Sequence, residues 1–234
     1  MKAIFKKELK GYFLSPIGYI FVGVFMALSA MFFLTGPIAY QVADISLLFS
    51  KINIIYLFLV SILTMRLLSE EKNKKTDQLL LTCPVSVAEI VAGKYLAAMS
   101  VFGITLLISI VFPLILFIFG SPSAGEIFGS YIGFILLWGA FIAIGVFISS
   151  LTENQMISAV STFGVLLLVY FMEWIAGNFS NPVLRTVFKW FSLLDRFYEF
   201  QNGILNITNV IYYLSFIFVF LFLTVRTIEK RRYS

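Results

Sequence analysis

Long apolar runs, separated by short polar tracts, set the pattern of this chain. A helix that crosses a bilayer needs about 20 predominantly apolar residues. Six stretches supply them: 17–34 (IGYIFVGVFMALSAMFFL), 45–68 (ending LVSILTMRLL), 87–119, 126–151, 155–176 and 209–228. The pattern therefore predicts an all-α membrane protein with six transmembrane helices. Local signals mark the ends. Ser15-Pro16 offers a cap and a first-turn proline before the first span. Ser86-Val87-Ala88-Glu89 reads as a capping box opening the third, with Pro113 inside that span. Gly120-Ser121-Pro122 closes it, and Thr208 can cap the last. There is no tandem repeat and no low-complexity linker, so residues 1–234 read as a single transmembrane domain.

The polar tracts set an expected orientation. All 17 basic residues but Lys51, Arg185, Lys189 and Arg196 fall in the N-terminal tail, the 66–94 stretch or the C-terminal tail. Lys and Arg accumulate on the cytoplasmic side of membrane proteins. Both termini and the 66–94 stretch are expected there. The N-terminal run is long enough to span and lacks a clear cleavage site, so it reads as a retained span, not a signal peptide.

Three tracts stand out from plain connections. In residues 1–14, Ile4, Phe5, Leu9, Tyr12 and Phe13 share a helical face opposite lysines, which predicts a helix lying in the membrane interface. Residues 69–86 begin with a dense charge run, Glu70 to Lys75, expected in water. A short leucine-bearing turn follows, with Thr76 or Asp77 as its cap, Leu79, Leu80 and Leu81 exposed, and Pro84 as its stop. The Ser86–Glu89 box then restarts a helix. Bundle connections usually take about 2–8 residues, so this longer segment reads as a docking surface for a cytoplasmic partner. The simpler alternative is a solvated loop whose leucines tuck onto its own bundle. Residues 177–208 are apolar for a loop: Asn181-Pro182 opens a helix, and Val183, Leu184, Val187, Phe188, Phe191, Leu194 and Phe197 keep helical spacing. Trp190, Phe191 and Tyr198 suit a membrane interface.

Composition narrows the chemistry. The chain is 60% hydrophobic and 12% charged, with a mean hydropathy of +0.98, where soluble domains carry about 25% charged residues. It has no histidine and one cysteine, Cys83. That removes His-based triads, His-ligated metal sites and any internal disulfide. The net charge of +5 fits membrane orientation and anionic lipid, not nucleic acid. The one Gly-Lys pair, Gly93-Lys94, is followed by Tyr95 and lacks the phosphate-binding loop pattern. No ATPase activity is expected of this chain. Span centres lack charge, which argues against an ion-coupled secondary transporter. A membrane anchor for a cytoplasmic protein would share the docking segment. Glu173, near the outer end of the fifth span, is a functional candidate by rule. It reads more simply as reaching headgroups or pairing with Arg185 or Lys189. Gly139, Gly145 and Ser158 read as helix-packing positions.

The stretch LTMRLLSEEKNKKTDQLLLTCPVSVAEIVAGKYLAA resembles the signature of type-2 ABC-transporter permeases, an exporter class with six spans per subunit. The matching positions are Thr64, Met65, Arg66, Glu70, Glu71, Thr76, Leu79, Leu80, Pro84, Val85, Ser86, Gly93 and Lys94. RFYEFQNGILNITNVIYYLS is similar to the gliding-motility-associated branch, with Gly203 before a polar turn that opens the last span. Lys75 stands where that family often has Gly, and Ser61 where it often has Pro. The resemblance implies a coupling helix at 69–86 acting through Glu70, Glu71, Thr76, Leu79, Leu80, Leu81 and Pro84. It implies a separate ATP-binding-cassette subunit holding ATP and Mg, with no cofactor on this chain, and a second permease half. It places short outer-leaflet helices before the last span, with Glu173, Phe188, Trp190, Phe191 and Phe197 as outer gate candidates. The implied setting is a bacterial plasma membrane, and the implied direction is export. An apolar, aromatic path would suit a lipid, peptide or amphipathic drug.

Overall fold

The computed structural model describes residues 1–76, 85–178 and 192–232, without the side chains of Glu173 and Arg232. In chain order the helices are α1 (Lys2–Leu14), α2 (Pro16–Phe33), α3 (Ser46–Thr64), α4 (Arg66–Asn73), α5 (Val87–Ser109) and α6 (Val111–Phe119). There follow α7 (Ala124–Leu151), α8 (Gln155–Tyr170), α9 (Met172–Gly177), α10 (Leu193–Gln201) and α11 (Ile207–Arg232). No strand interrupts them among the described residues. Among the described residues six rods are long and apolar enough to cross a membrane: Pro16–Ile38, Ser46–Asn73, Val87–Phe119, Ala124–Leu151, Gln155–Gly177 and Ile207–Arg231.

The bundle is organised around α7, which packs against α3, α5, α8, α10 and α11. In lipid there is no hydrophobic drive between helices, so close packing and hydrogen bonds hold them together. Both are present. Trp138 of α7 stacks on Phe102 at 4.5 Å and meets Tyr56 edge-on at 5.0 Å. Phe25 stacks on Tyr56 at 4.3 Å, and the Tyr56 hydroxyl bonds Ser29. Gly145 lets α7 close on α3: a Cβ there would fall 2.8 Å from Thr64 Cβ. The outward faces of α2, α8 and α11 stay apolar and exposed, as bilayer-facing surfaces do.

Several rods are broken, each with a physical reason. Span two is interrupted at Met65, where α3 passes into α4. Span three breaks after Ser109 because Pro113 has no N–H for the Ser109 carbonyl. The Tyr131 hydroxyl donates to that carbonyl instead, at 3.0 Å. Span one ends in a wide turn, Leu34–Ile38, that contains Pro37.

Two sequence expectations need correction. Pro16 does open α2, but the Ser15 side chain does not cap it; its hydroxyl donates to Tyr12 O (3.3 Å) and accepts from Arg66 (3.1 Å). The last span is opened by Asn206, whose Oδ1 accepts from Thr208 N at 3.0 Å. On α1, Ile4 and Tyr12 are buried, and the helix lies along α5 and α2. Ser86 does accept from Glu89 N, at 3.3 Å.

Candidate functional site

The lysine-rich end of the bundle is where α1, α4, α5 and α7 meet, at the foot of the 77–84 segment. Lys94 is its centre. It sits two turns into α5 and is 1% exposed. An ammonium has three N–H donors, and each finds an acceptor here. Glu8 Oε1 of α1 lies at 2.9 Å, Glu71 Oε2 of α4 at 2.8 Å and the Leu67 carbonyl at 2.6 Å. One buried cation thus ties α1, α4 and α5 together. Lys7 reaches the other Glu71 oxygen at 3.3 Å.

A second chain of charges runs beside the first. Glu70 pairs with Arg66 at 3.2 Å, one turn back on α4, and with Lys74 at 2.7 Å, just past its end. The Arg66 guanidinium stands 5.6 Å above the Tyr12 ring and donates to Ser15. Tyr12 donates its hydroxyl to the Leu63 carbonyl at 2.7 Å, near the α3–α4 junction at Met65. Burial pushes the Tyr12 phenol far above its usual range, and the nearby Glu8 carboxylate adds to that. It therefore stays a neutral donor. Lys7, Glu8, Arg66, Glu70, Glu71, Lys74 and Lys94 surround a polar cavity of about 220 Å³, completed by Gly11 and Thr76.

The far side of α4 is fixed to the end of α7. Ser149 Oγ accepts from Leu68 N and Ser69 N, each at 3.1 Å, and donates to Met65 O at 3.2 Å. It caps α4 from another helix, supplying an acceptor to N–H groups of the first turn. The Lys72 ammonium bonds the Ser150 carbonyl. Helix α4 then ends in a tight left-handed turn. Lys75, at φ 55°, donates to Lys72 O at 3.1 Å, and Thr76 donates to Glu71 O at 2.9 Å. The same pair of bonds closes α10, where Gly203 holds the left-handed position at φ 74°. Lys75 thus occupies a backbone site that glycine fills without strain.

These observations correct the expectation that Glu70 to Lys75 sit in water for the first half of that run only, since Asn73, Lys74 and Lys75 are exposed as expected. Glu70 and Glu71 keep only 24% and 13% side-chain exposure, and Lys72 is buried. The reason is that α4 continues span two and rests one face on α7 and α8. Thr76 is exposed and hydrogen-bonds back to Glu71 O. Ser86 and Glu89 are exposed at the start of α5.

Leu79, Leu80, Leu81 and Pro84 lie outside the described residues, as do Phe188, Trp190 and Phe191. Glu173 falls within the backbone of α9, and its side chain also lies outside them. Phe197 is fully buried in α10, 6.1 Å from Phe134 of α7. It packs α10 onto the bundle. Sequence reasoning missed Glu8 and Ser149, placed Tyr12 only on an apolar face, and took Lys94 only as part of a motif. One signal was present: Glu8 is the sole acidic residue before Asp44.

Comparison with curated proteins gives no match. The family model described as ABC-2 family transporter protein matches residues 3–230. That stretch takes in all six candidate spans and the α1–α4–α5 junction together. This chain accordingly belongs to the ABC-2 transporter family, as a membrane-spanning permease subunit.

Proposed function

We propose that this permease moves its substrate outward across a bacterial plasma membrane, driven by ATP that a separate subunit binds with Mg and hydrolyses. That ATPase docks on residues 69–86 from the cytoplasmic side, where both termini lie. A second permease half completes the path. The subgroup within the family is the gliding-motility-associated branch, a reading carried by the RFYEFQNGILNITNVIYYLS stretch.

The observation that carries the coupling role is Lys94 and its three acceptors. A docking element transmits force only if its base is rigid. The foot of the 77–84 segment is held by a buried ion pair to α1, by its own α3–α4 rod and by the end of α7. Movement imposed at 77–84 then passes to three spans at once, instead of being absorbed by a soft loop.

The test is co-expression with the ATPase encoded nearest to this chain, followed by purification in detergent. Leu79→Asp/Leu80→Asp is compared with the unmodified protein for co-purified ATPase and for ATP turnover. The expected result is a stable complex that the double variant loses. An ATPase that never co-purifies, or that binds the variant equally well, overturns the coupling role of 69–86.

A further inference from the structure

A groove opens on the bilayer side between the first turns of α5 and the last turns of α11. It encloses about 440 Å³, within the ~300–1,000 Å³ of ligand sites. Ala88, Val91 and Ala92 form one wall, and Phe218, Phe222 and Val225 the other. The first wall is shallow because Ala88 and Ala92 share a helical face and carry little bulk. Phe218 and Phe222 stack at 6.4 Å and remain exposed, so the trough stays open to the side.

The mouth of the groove carries charge. Arg226 is 65% exposed, its guanidinium 5.0 Å over the Phe222 ring and 3.1 Å from Glu229 Oε2. Among the described residues that is one ion pair for a group with five N–H donors. Glu229 and the Phe222 ring together orient the guanidinium across the mouth. Lys230 follows on the same helix, and Arg231 is held by Glu153 at 3.3 Å. An apolar trough with cations at the membrane-surface end is complementary to one kind of molecule, an amphiphile with an anionic head.

We propose that this groove holds one acyl chain of an anionic phospholipid from the leaflet at the lysine-rich end, with the phosphate on Arg226. The proposal does not depend on the transport reading. A planar guanidinium gives two parallel N–H donors to phosphate oxygens, and the two phenylalanines give the tail a wall.

The full chain is titrated with phosphatidylglycerol, and separately with phosphatidylcholine, and bound lipid is counted by native mass spectrometry. A preferred phosphatidylglycerol adduct is expected. Arg226→Gln lowers its occupancy about five-fold, the loss due to one basic side chain at an anionic surface. Lys6→Gln, the same charge change at an exposed position of α1, leaves it unchanged. Ala92→Phe fills the trough and removes the adduct; should that variant fold poorly, Arg226→Gln decides alone. Equal binding of the two lipids, or equal binding by Arg226→Gln and the unmodified chain, overturns the proposal. So does a dimer mass that excludes lipid, which would assign the groove to a second copy of the chain.

Discussion

Replacing Lys94 by Met tests the central junction most directly. Methionine keeps the apolar stem and removes the ammonium. Three contacts go at once: Glu8, Glu71 and the Leu67 carbonyl. Breaking a buried ion pair by deleting one partner costs about 3–5 kcal/mol, because the other charge is left uncompensated. Two features place this case at the low end. Glu8 and Glu71 keep 16% and 13% exposure, so water reaches them in part. Lys7 also still pairs with Glu71 at 3.3 Å. The expected cost is about 3 kcal/mol. For a chain of this size each 1 kcal/mol lowers the unfolding midpoint by about 2–4 °C. A drop of about 6–12 °C should appear in thermal unfolding of the detergent-solubilised protein.

The sharper arm is the triple variant Lys94→Met/Glu8→Gln/Glu71→Gln. It removes the cation and both carboxylates together. Replacing a whole buried ionic group is often close to neutral, whereas breaking it is not. The triple variant should recover to within about 1 kcal/mol of the unmodified chain. A single variant that loses less than about 1 kcal/mol, or a triple variant less stable than the single one, would refute the argument that the junction is an electrostatic unit.

Three further variants test single structural claims by the same thermal assay. Lys75→Gly should stabilise by about 1 kcal/mol, since a side chain in the left-handed region costs about 1–2; no gain would mean that the α4 terminus is not under that strain. Tyr131→Phe should cost about 1 kcal/mol by stranding the Ser109 carbonyl, and adding Pro113→Ala should restore it by returning an N–H. If the two changes are additive, Tyr131 does not serve that carbonyl. Gly145→Val should lose about 1–3 kcal/mol through overpacking against Thr64, and an unchanged midpoint would show that α3 and α7 do not touch there.

The six rods were legible because a spanning helix announces itself by length and apolarity alone. Their ends were less so. Pro113 was visible as a break, but its remedy, the Tyr131 hydroxyl, lies on another helix, 22 residues from the Ser109 carbonyl it serves. Ser149 was one serine among several, and nothing local shows that it caps α4 from across the bundle. Charge density misled for a related reason. A run such as Glu70 to Lys75 states what each side chain would cost if buried alone. It says nothing of partners brought in by other helices.

Lys94 shows how far that reasoning could have been taken. It lies in VAEIVAGKYLAA, at the start of an apolar span. A lysine there must either reach the membrane surface or find an acid. The nearest acid in its own span is Glu89, five residues away, and residues i and i+5 do not share a helix face. The partner must come from another segment. Helix α1 supplies one candidate, Glu8, as the sole carboxylate before Asp44. It lies among lysines on a helix whose other face is apolar. The cost of a lone buried ammonium therefore points to α1 folding back along α5, a tertiary contact that hydrophobic periodicity alone assigns to the membrane surface.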